Sequence, residues 1–129
     1  MTFIIDTNVL IEIENNNEKI ITQIKALTHD PLYITFFTLC EFYLGIINKS
    51  EKKKKDFLDR IEEYPLLNTT KNTGFIFCDL WHHLQKEGKI IPHFDLFIAS
   101  LAIEYNMTLL TLDKDFDQIP NVKKMVITF

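Results

Sequence analysis

The stretch Phe3-Ile4-Ile5-Asp6-Thr7-Asn8-Val9-Leu10-Ile11 decides the fold class. Its three leading apolar residues read as a short strand, which stops at Asp6-Thr7-Asn8. Those three are helix-starting side chains, and Val9 to Ile13 continue as a helix. The same alternation runs outward along the chain. After a break at Asn15-Asn16-Asn17, Ile20, Ile21, Ile24 and Leu27 recur at helical spacing within Glu18 to Thr28. Asp30-Pro31 end that helix, and Leu32 to Thr35 read as a second strand. Phe37 to Ile47 and Glu51 to Glu63 read as two helices, and Pro65 to Asn68 as a short edge strand. Two more helices follow, Gly74 to Glu87 stopped by Gly88 and Asp95 to Tyr105 stopped by Asn106. Thr108 to Leu112 and Met125 to Phe129 read as the final strands.

Short apolar strands alternating with helices predict one domain over residues 1–129, a three-layer α/β/α arrangement with a central parallel sheet. Right-handed crossovers put every strand's carboxyl end on one edge, and open sheets of this kind bind ligands there. A chain of 129 residues, 47% hydrophobic, buries enough surface to fold without a disulfide or structural metal. Its mean hydropathy of +0.01 excludes a disordered tail, and no apolar run approaches the ~20 residues of a membrane span. The opening Met1-Thr2-Phe3-Ile4-Ile5-Asp6 has neither a basic region nor a cleavage site, so no secretory signal is expected. Cys40 and Cys78 lie in apolar stretches without C-x-x-C spacing, which fits reduced thiols in the cytoplasm rather than zinc. The net charge of −4 excludes a protein that grips nucleic acid by bulk positive potential. It leaves room for one that acts through a metal and a local basic patch.

Acids mark the predicted ligand edge. Asp6 follows the first strand directly, and Asp113 and Asp115 follow the strand that ends at Thr111-Leu112. Taken singly, Asp6 also reads as a helix cap, and the other two as turn residues. Asp95 shares a helix face with Ile98, Ala99 and Ala102, while Ser100 and Glu104 lie about 140° and 180° away on the side expected to face solvent. Asp95 is therefore expected to point inward, where a carboxylate has to be paired, protonated, metal-bound or used as an N-cap. Glu41 lies on a polar stripe with Thr38, Gly45 and Asn48, which reads by default as a solvated face, although its helix begins near the same edge. Four or five converging carboxylates with no matching Arg or Lys repel one another, and a hard divalent cation relieves that repulsion. The chemistry implied is metal-dependent hydrolysis of nucleic acid.

Asp6-Thr7-Asn8-Val9-Leu10-Ile11, Thr38-Leu39-Cys40-Glu41, Asp95-Leu96-Phe97-Ile98-Ala99 and Thr111-Leu112-Asp113-Lys114-Asp115-Phe116 resemble the motifs of PIN domains, in the same order and strand context. The resemblance runs from Thr2 to Ile119 and is closest to the small ribonuclease toxins of VapC type found in type II toxin–antitoxin pairs. It implies a PIN-like, Rossmann-like topology and metal-holding acids at Asp6, Glu41, Asp95 and Asp113, with Asp115 and the polar residues Thr7, Asn8 and Thr111 as auxiliaries. It also implies Mg²⁺ or Mn²⁺, an RNA substrate, a homodimer and a cognate antitoxin. A housekeeping RNA-processing nuclease and a catalytically inactive binding module of the same fold are the alternatives within it. Outside it, a haloacid dehalogenase-type phosphatase needs a second Asp where Asn8 stands. A receiver domain needs an acidic pair after the first strand, and Thr7-Asn8 does not supply one.

Lys52-Lys53-Lys54-Lys55 is the one dense basic run, readable as a solvated helix face or as an RNA-backbone contact. His93, two residues before Asp95, reads as a solvated surface residue or as a substrate contact; His82-His83 have no zinc spacing with either Cys. Phe36, Phe37, Phe42 and Tyr43 surround Glu41 and read first as core, and second as a dimer or antitoxin surface.

Overall fold

The computed structural model describes residues 2–128. Its elements alternate as predicted: β1 (Phe3–Ile5), α1 (Thr7–Glu14), α2 (Glu18–Leu27), β2 (Ile34–Thr35), α3 (Phe36–Ile46), α4 (Glu51–Ile61), β3 (Leu66–Leu67), α5 (Lys71–Lys86), α6 (His93–Glu104), β4 (Thr108–Thr111) and β5 (Lys124–Val126). A 3₁₀ turn, Lys114–Gln118, follows β4. β1 pairs with β4 and β4 with β5, while β2 pairs with β3, all parallel. Tyr33 joins the two sets: its N–H donates to the Phe3 carbonyl at 3.0 Å and its carbonyl accepts from Ile5 at 2.9 Å. The strands therefore run in the order β3-β2-β1-β4-β5, with β1 in the middle.

The sheet's two faces fill two separate cores, following the period-2 alternation of strand side chains. Ile4 and Leu109 point into a cluster with α5 and α6, including Leu80, Leu84, Leu96 and Leu101. Phe3, Ile5 and Leu110 point to the other side, onto α1, α2, α3 and α4 through Leu10, Ile20, Phe42 and Ile61. Helices thus cover both faces, and the middle strands are apolar throughout because neither face meets water. Among the described residues no helix is long and apolar enough to cross a membrane.

The predicted stops hold for a shared reason. Asn16, Asn106 and Gly88 adopt φ of 58°, 53° and 70°, the left-handed conformation that Asn and Gly enter at low cost. Several boundaries move. α5 begins at Lys71 rather than Gly74, because Thr70 caps it in a reciprocal pair with Thr73. α6 begins at His93, after Pro92, so Asp95 is its third residue and not its cap. The last strand is Lys124–Val126, not Met125 to Phe129; Phe129, like Met1, lies outside the described residues. Ser100, expected to face solvent, is instead fully buried, its hydroxyl donating to the Leu96 carbonyl at 2.7 Å. α6 is covered on nearly every side, so a back-bonded hydroxyl is tolerated where a free one would be costly.

Candidate active site at the carboxyl edge of the sheet

Asp6 stands at the end of β1 with 4% of its surface exposed. Its Oδ1 accepts from the Thr7 backbone N–H at 2.8 Å and its Oδ2 from the Thr111 hydroxyl at 2.9 Å. The Thr111 oxygen in turn accepts from the Asp113 N–H at 3.0 Å, and Asp113 Oδ1 accepts from Asp115 N–H at 2.8 Å to cap the 3₁₀ turn. The Thr7 hydroxyl donates to Glu41 Oε1 at 2.7 Å, tying α1 to α3. Asn8 accepts from the Leu112 N–H at 3.2 Å, fixing the chain as it leaves β4. One hydrogen-bonded ladder thus links Glu41, Thr7, Asp6, Thr111, Asp113 and Asp115. The solvated stripe expected around Glu41 is correct only at its lower end. Gly45 and Asn48 are exposed, but Thr38 is fully buried and Glu41 is half-buried against Thr7.

Asp95 faces this ladder from the first turn of α6. Phe37 of α3 packs against Phe94 and Phe97 of α6, with ring centroids 5.4 and 4.5 Å apart, which fixes the approach of the two helices. Among the described residues no hydrogen bond reaches the Asp95 carboxylate, and no ion pair involves any of the five acids. The electrostatics register the convergence. Burial raises the Asp95 pKa from 3.8 to about 7, reinforced by the negative charges of Asp6, Glu41, Asp113 and Asp115. Burial likewise raises Asp6 to about 6, against the lowering effect of its bonds from Thr111 and Thr7, with Glu41 and Asp113 adding repulsion. Buried, mutually repelling carboxylates without a cation are a costly arrangement that sequences retain where function needs it.

Residues 3–122 match the family model described as PIN domain. The chain belongs to the PIN-domain family. It is 34% identical over 133 residues to ribonuclease VapC of Rickettsia bellii, covering 98% of this chain and 97% of that one. Identity to ribonuclease VapC2 of Rickettsia felis is 30% over 131 residues, covering 95% of each. Among solved structures, it superposes with a TM-score of 0.88 on a chain of the VapBC2 complex of Rickettsia felis bound to a promoter DNA fragment, at 26% identity over 99% of this chain and 100% of that one.

Not every predicted site residue joins this PIN-domain edge. His93, exposed at the start of α6, turns edge-on to Phe77 and Trp81 of α5, with centroids 5.9 and 5.3 Å away. The Lys52–Lys55 run lies on α4, where Lys54 pairs with Glu51 at 3.3 Å. Further along that helix, Arg60 pairs with Glu14 at 2.5 Å, and the Tyr64 hydroxyl just beyond it donates to the same carboxylate at 3.1 Å. Glu14 is the last residue of α1, about 12 Å along the helix from Asp6. Lys49 and Phe57 line a groove with Ile11 and Asn15 at that same end. Sequence reading does not single out Phe94 at the acidic edge. Its position next to Asp95 is the available signal.

Proposed function

We propose that this chain is a metal-dependent endoribonuclease acting as the toxin of a type II toxin–antitoxin pair. The reading rests on one observation above all: Asp6, Glu41, Asp95 and Asp113 converge at the carboxyl edge of a PIN domain, and among the described residues none of them is paired with a cation. Relatives named as ribonucleases, and a structural neighbour that is a VapBC complex, support RNA as the substrate and a cognate antitoxin as partner.

The donor set fits Mg²⁺ or Mn²⁺, since the side chains proposed to hold the ion offer hard carboxylate oxygens. Among the described residues no three of these side chains close into a ready-made cage. Magnesium asks for none, because it keeps several waters and is commonly held through one or two carboxylates plus substrate phosphate. Asp6, Glu41, Asp95 and Asp113 would hold the ion, with exposed Asp115 as an auxiliary. Bound there, such an ion lowers the pKa of a coordinated water and neutralises charge on the phosphodiester. The chain's own part is orientation. Thr111 and the Thr7 amide hold the two oxygens of Asp6, and the Thr7 hydroxyl holds Glu41. Asp95, raised to about 7 in the metal-free protein, would be held ionised by a bound cation.

A homodimer belongs to the same proposal: in it two Lys52–Lys55 runs would border one shared groove and guide the RNA toward both acidic edges. Inducible expression followed by sequencing of RNA ends tests the reading. Wild-type chain should arrest growth and leave 5′-phosphate and 3′-hydroxyl ends, and Asp95→Asn should do neither. Co-expression of a small protein encoded beside the gene should relieve the arrest. Cyclic phosphate ends that persist in EDTA would indicate metal-free chemistry and overturn it.

A further inference from the structure

The acidic edge has a second, apolar component. Phe36 is the first residue of α3, directly after β2, and 54% of it is exposed. Phe94 immediately precedes Asp95 on α6 and is 38% exposed. Phe37 lies between them, 5.7 Å from Phe36 and 5.4 Å from Phe94, both edge-to-face. Behind it Phe97 stacks on Phe37 at 4.5 Å and on Phe77 at 3.9 Å, so the two exposed rings rest on a packed aromatic column rather than on mobile stems. These rings stand at the starts of the two helices that carry Glu41 and Asp95.

Lys114, exposed between Asp113 and Asp115, is the cation that the sequence places at this edge, so a nuclease of net charge −4 gains only limited binding there from phosphate contacts. Base-to-ring stacking is the other general means of holding a single strand, and it is indifferent to the sign of the local potential. Resting on the ribonuclease reading above, we infer that Phe36 and Phe94 form a stacking subsite for an unpaired RNA base next to the bond to be cleaved. The subsite selects single-stranded over duplex RNA, because a paired base has no free face to offer the rings.

The test compares wild type with a Phe36→Leu/Phe94→Leu variant and a Phe36→Trp/Phe94→Trp variant. Leucine preserves apolar packing and removes the π face, whereas tryptophan restores it. Binding is measured by fluorescence anisotropy in EDTA, on a short single-stranded oligoribonucleotide and on its abasic counterpart, with size-exclusion chromatography of each variant. The leucine variant should bind the oligoribonucleotide roughly tenfold or more weakly per stacked base, and the tryptophan variant should match wild type. The abasic strand should not distinguish the three. Equal binding of the oligoribonucleotide by wild type and the leucine variant would overturn the subsite. So would a loss that tracks dissociation of a dimer, which would assign the rings to a subunit contact. Wild type that cleaves no RNA when Mg²⁺ or Mn²⁺ is added would instead sink the ribonuclease reading itself. That result is distinguishable, because it appears in cleavage and not in the comparison of variants.

Discussion

Asp6 and Asp95 stand on two walls of one edge, and burial is the leading cause of both raised pKa values, but what surrounds each carboxylate differs. Asp6 is nearly inaccessible, and each of its oxygens accepts a hydrogen bond, so burial raises its pKa while Thr111 and Thr7 pull it back. Asp95 is less buried, yet it is raised further: burial leads, four acidic neighbours reinforce it, and no hydrogen bond offsets either. One wall is organised by the protein itself. The other is left under electrostatic load that only an added cation or a proton relieves. An acid held by hydrogen bonds has a fixed orientation, whereas an acid held against repulsion is stabilised by whatever positive charge is brought to it.

Neutralising either acid tests whether both walls serve one centre. Asp6→Asn and Asp95→Asn should each reduce RNA cleavage by about two orders of magnitude or more, as the loss of several kcal/mol of charge stabilisation requires. Calorimetry with Mn²⁺ should show weakened binding in both. Unchanged Mn²⁺ affinity in the pair would remove the metal site from the account. The apo proteins should differ. Asp95→Asn relieves repulsion without breaking a bond, so it should raise the melting temperature at pH 8. Asp6→Asn exchanges one accepting oxygen for an amide NH₂, disturbing the bond from Thr7 or Thr111, and should gain less or lose.

Thr7 sharpens the contrast from the organised wall. Its hydroxyl holds Glu41, and removing the partner that orients a ligand commonly costs 10- to 100-fold in metal affinity. Thr7→Val should therefore weaken Mn²⁺ binding roughly tenfold or more, while Thr7→Ser, which keeps the donor, should stay close to wild type. Equal affinities in Val and Ser variants would show that Glu41 needs no such support.

Acidity probes the loaded wall. The Asp95 pKa is higher in the folded chain than its ordinary 3.8, so the folded state binds more protons than the unfolded one between pH 3.8 and about 7. Stability of the metal-free protein contributed by this group is therefore present at low pH and is lost as pH rises through that window. In EDTA the melting temperature should fall from pH 5 to pH 8, and Asp95→Asn should flatten much of that fall. Adding Mn²⁺ at pH 8 should restore stability to wild type and not to Asp95→Asn. A wild-type melting temperature that climbs from pH 5 to pH 8 would contradict the repulsion.

The organised wall is more legible in the sequence than the loaded one. Asp6, Thr7 and Asn8 follow an apolar run that has to be a buried strand, so their place at the carboxyl edge follows from the alternation alone. Thr111 at the end of β4 and Asp113 just beyond it are legible in the same way. Helical periodicity places Asp95 inward, but the same periodicity misassigns Ser100. The rule supposes one wet side, and α6 is buried nearly all round. Glu41 is the least legible acid, since its stripe changes from buried at Thr38 to exposed at Gly45 within one helix. Phe94 escapes notice because aromatic residues read as core by default, and only the tertiary packing with Phe37 separates packed rings from exposed ones.

The smallest expected effect belongs to Lys52, Lys53, Lys54 and Lys55, the chain's dense basic run and the region least tied to either wall. α4 is fastened to the far end of α1 through Arg60, Tyr64 and Glu14, and Lys54 already pairs with Glu51. A strand confined to the acidic edge would not reach these side chains, whereas a longer one leaving the edge along α1 would. For every lysine–phosphate pair removed, the log–log salt dependence of binding should fall by about one unit. Changing all four lysines to Ser should therefore weaken binding of long RNA and lower its slope, leaving a short oligonucleotide and Mn²⁺ affinity unaffected. Measured over a salt series with both lengths, an unaltered slope for long RNA would make the run a solvated helix face. A slope lowered equally for the short strand would place the lysines at the acidic edge itself and erase the distinction between the two regions.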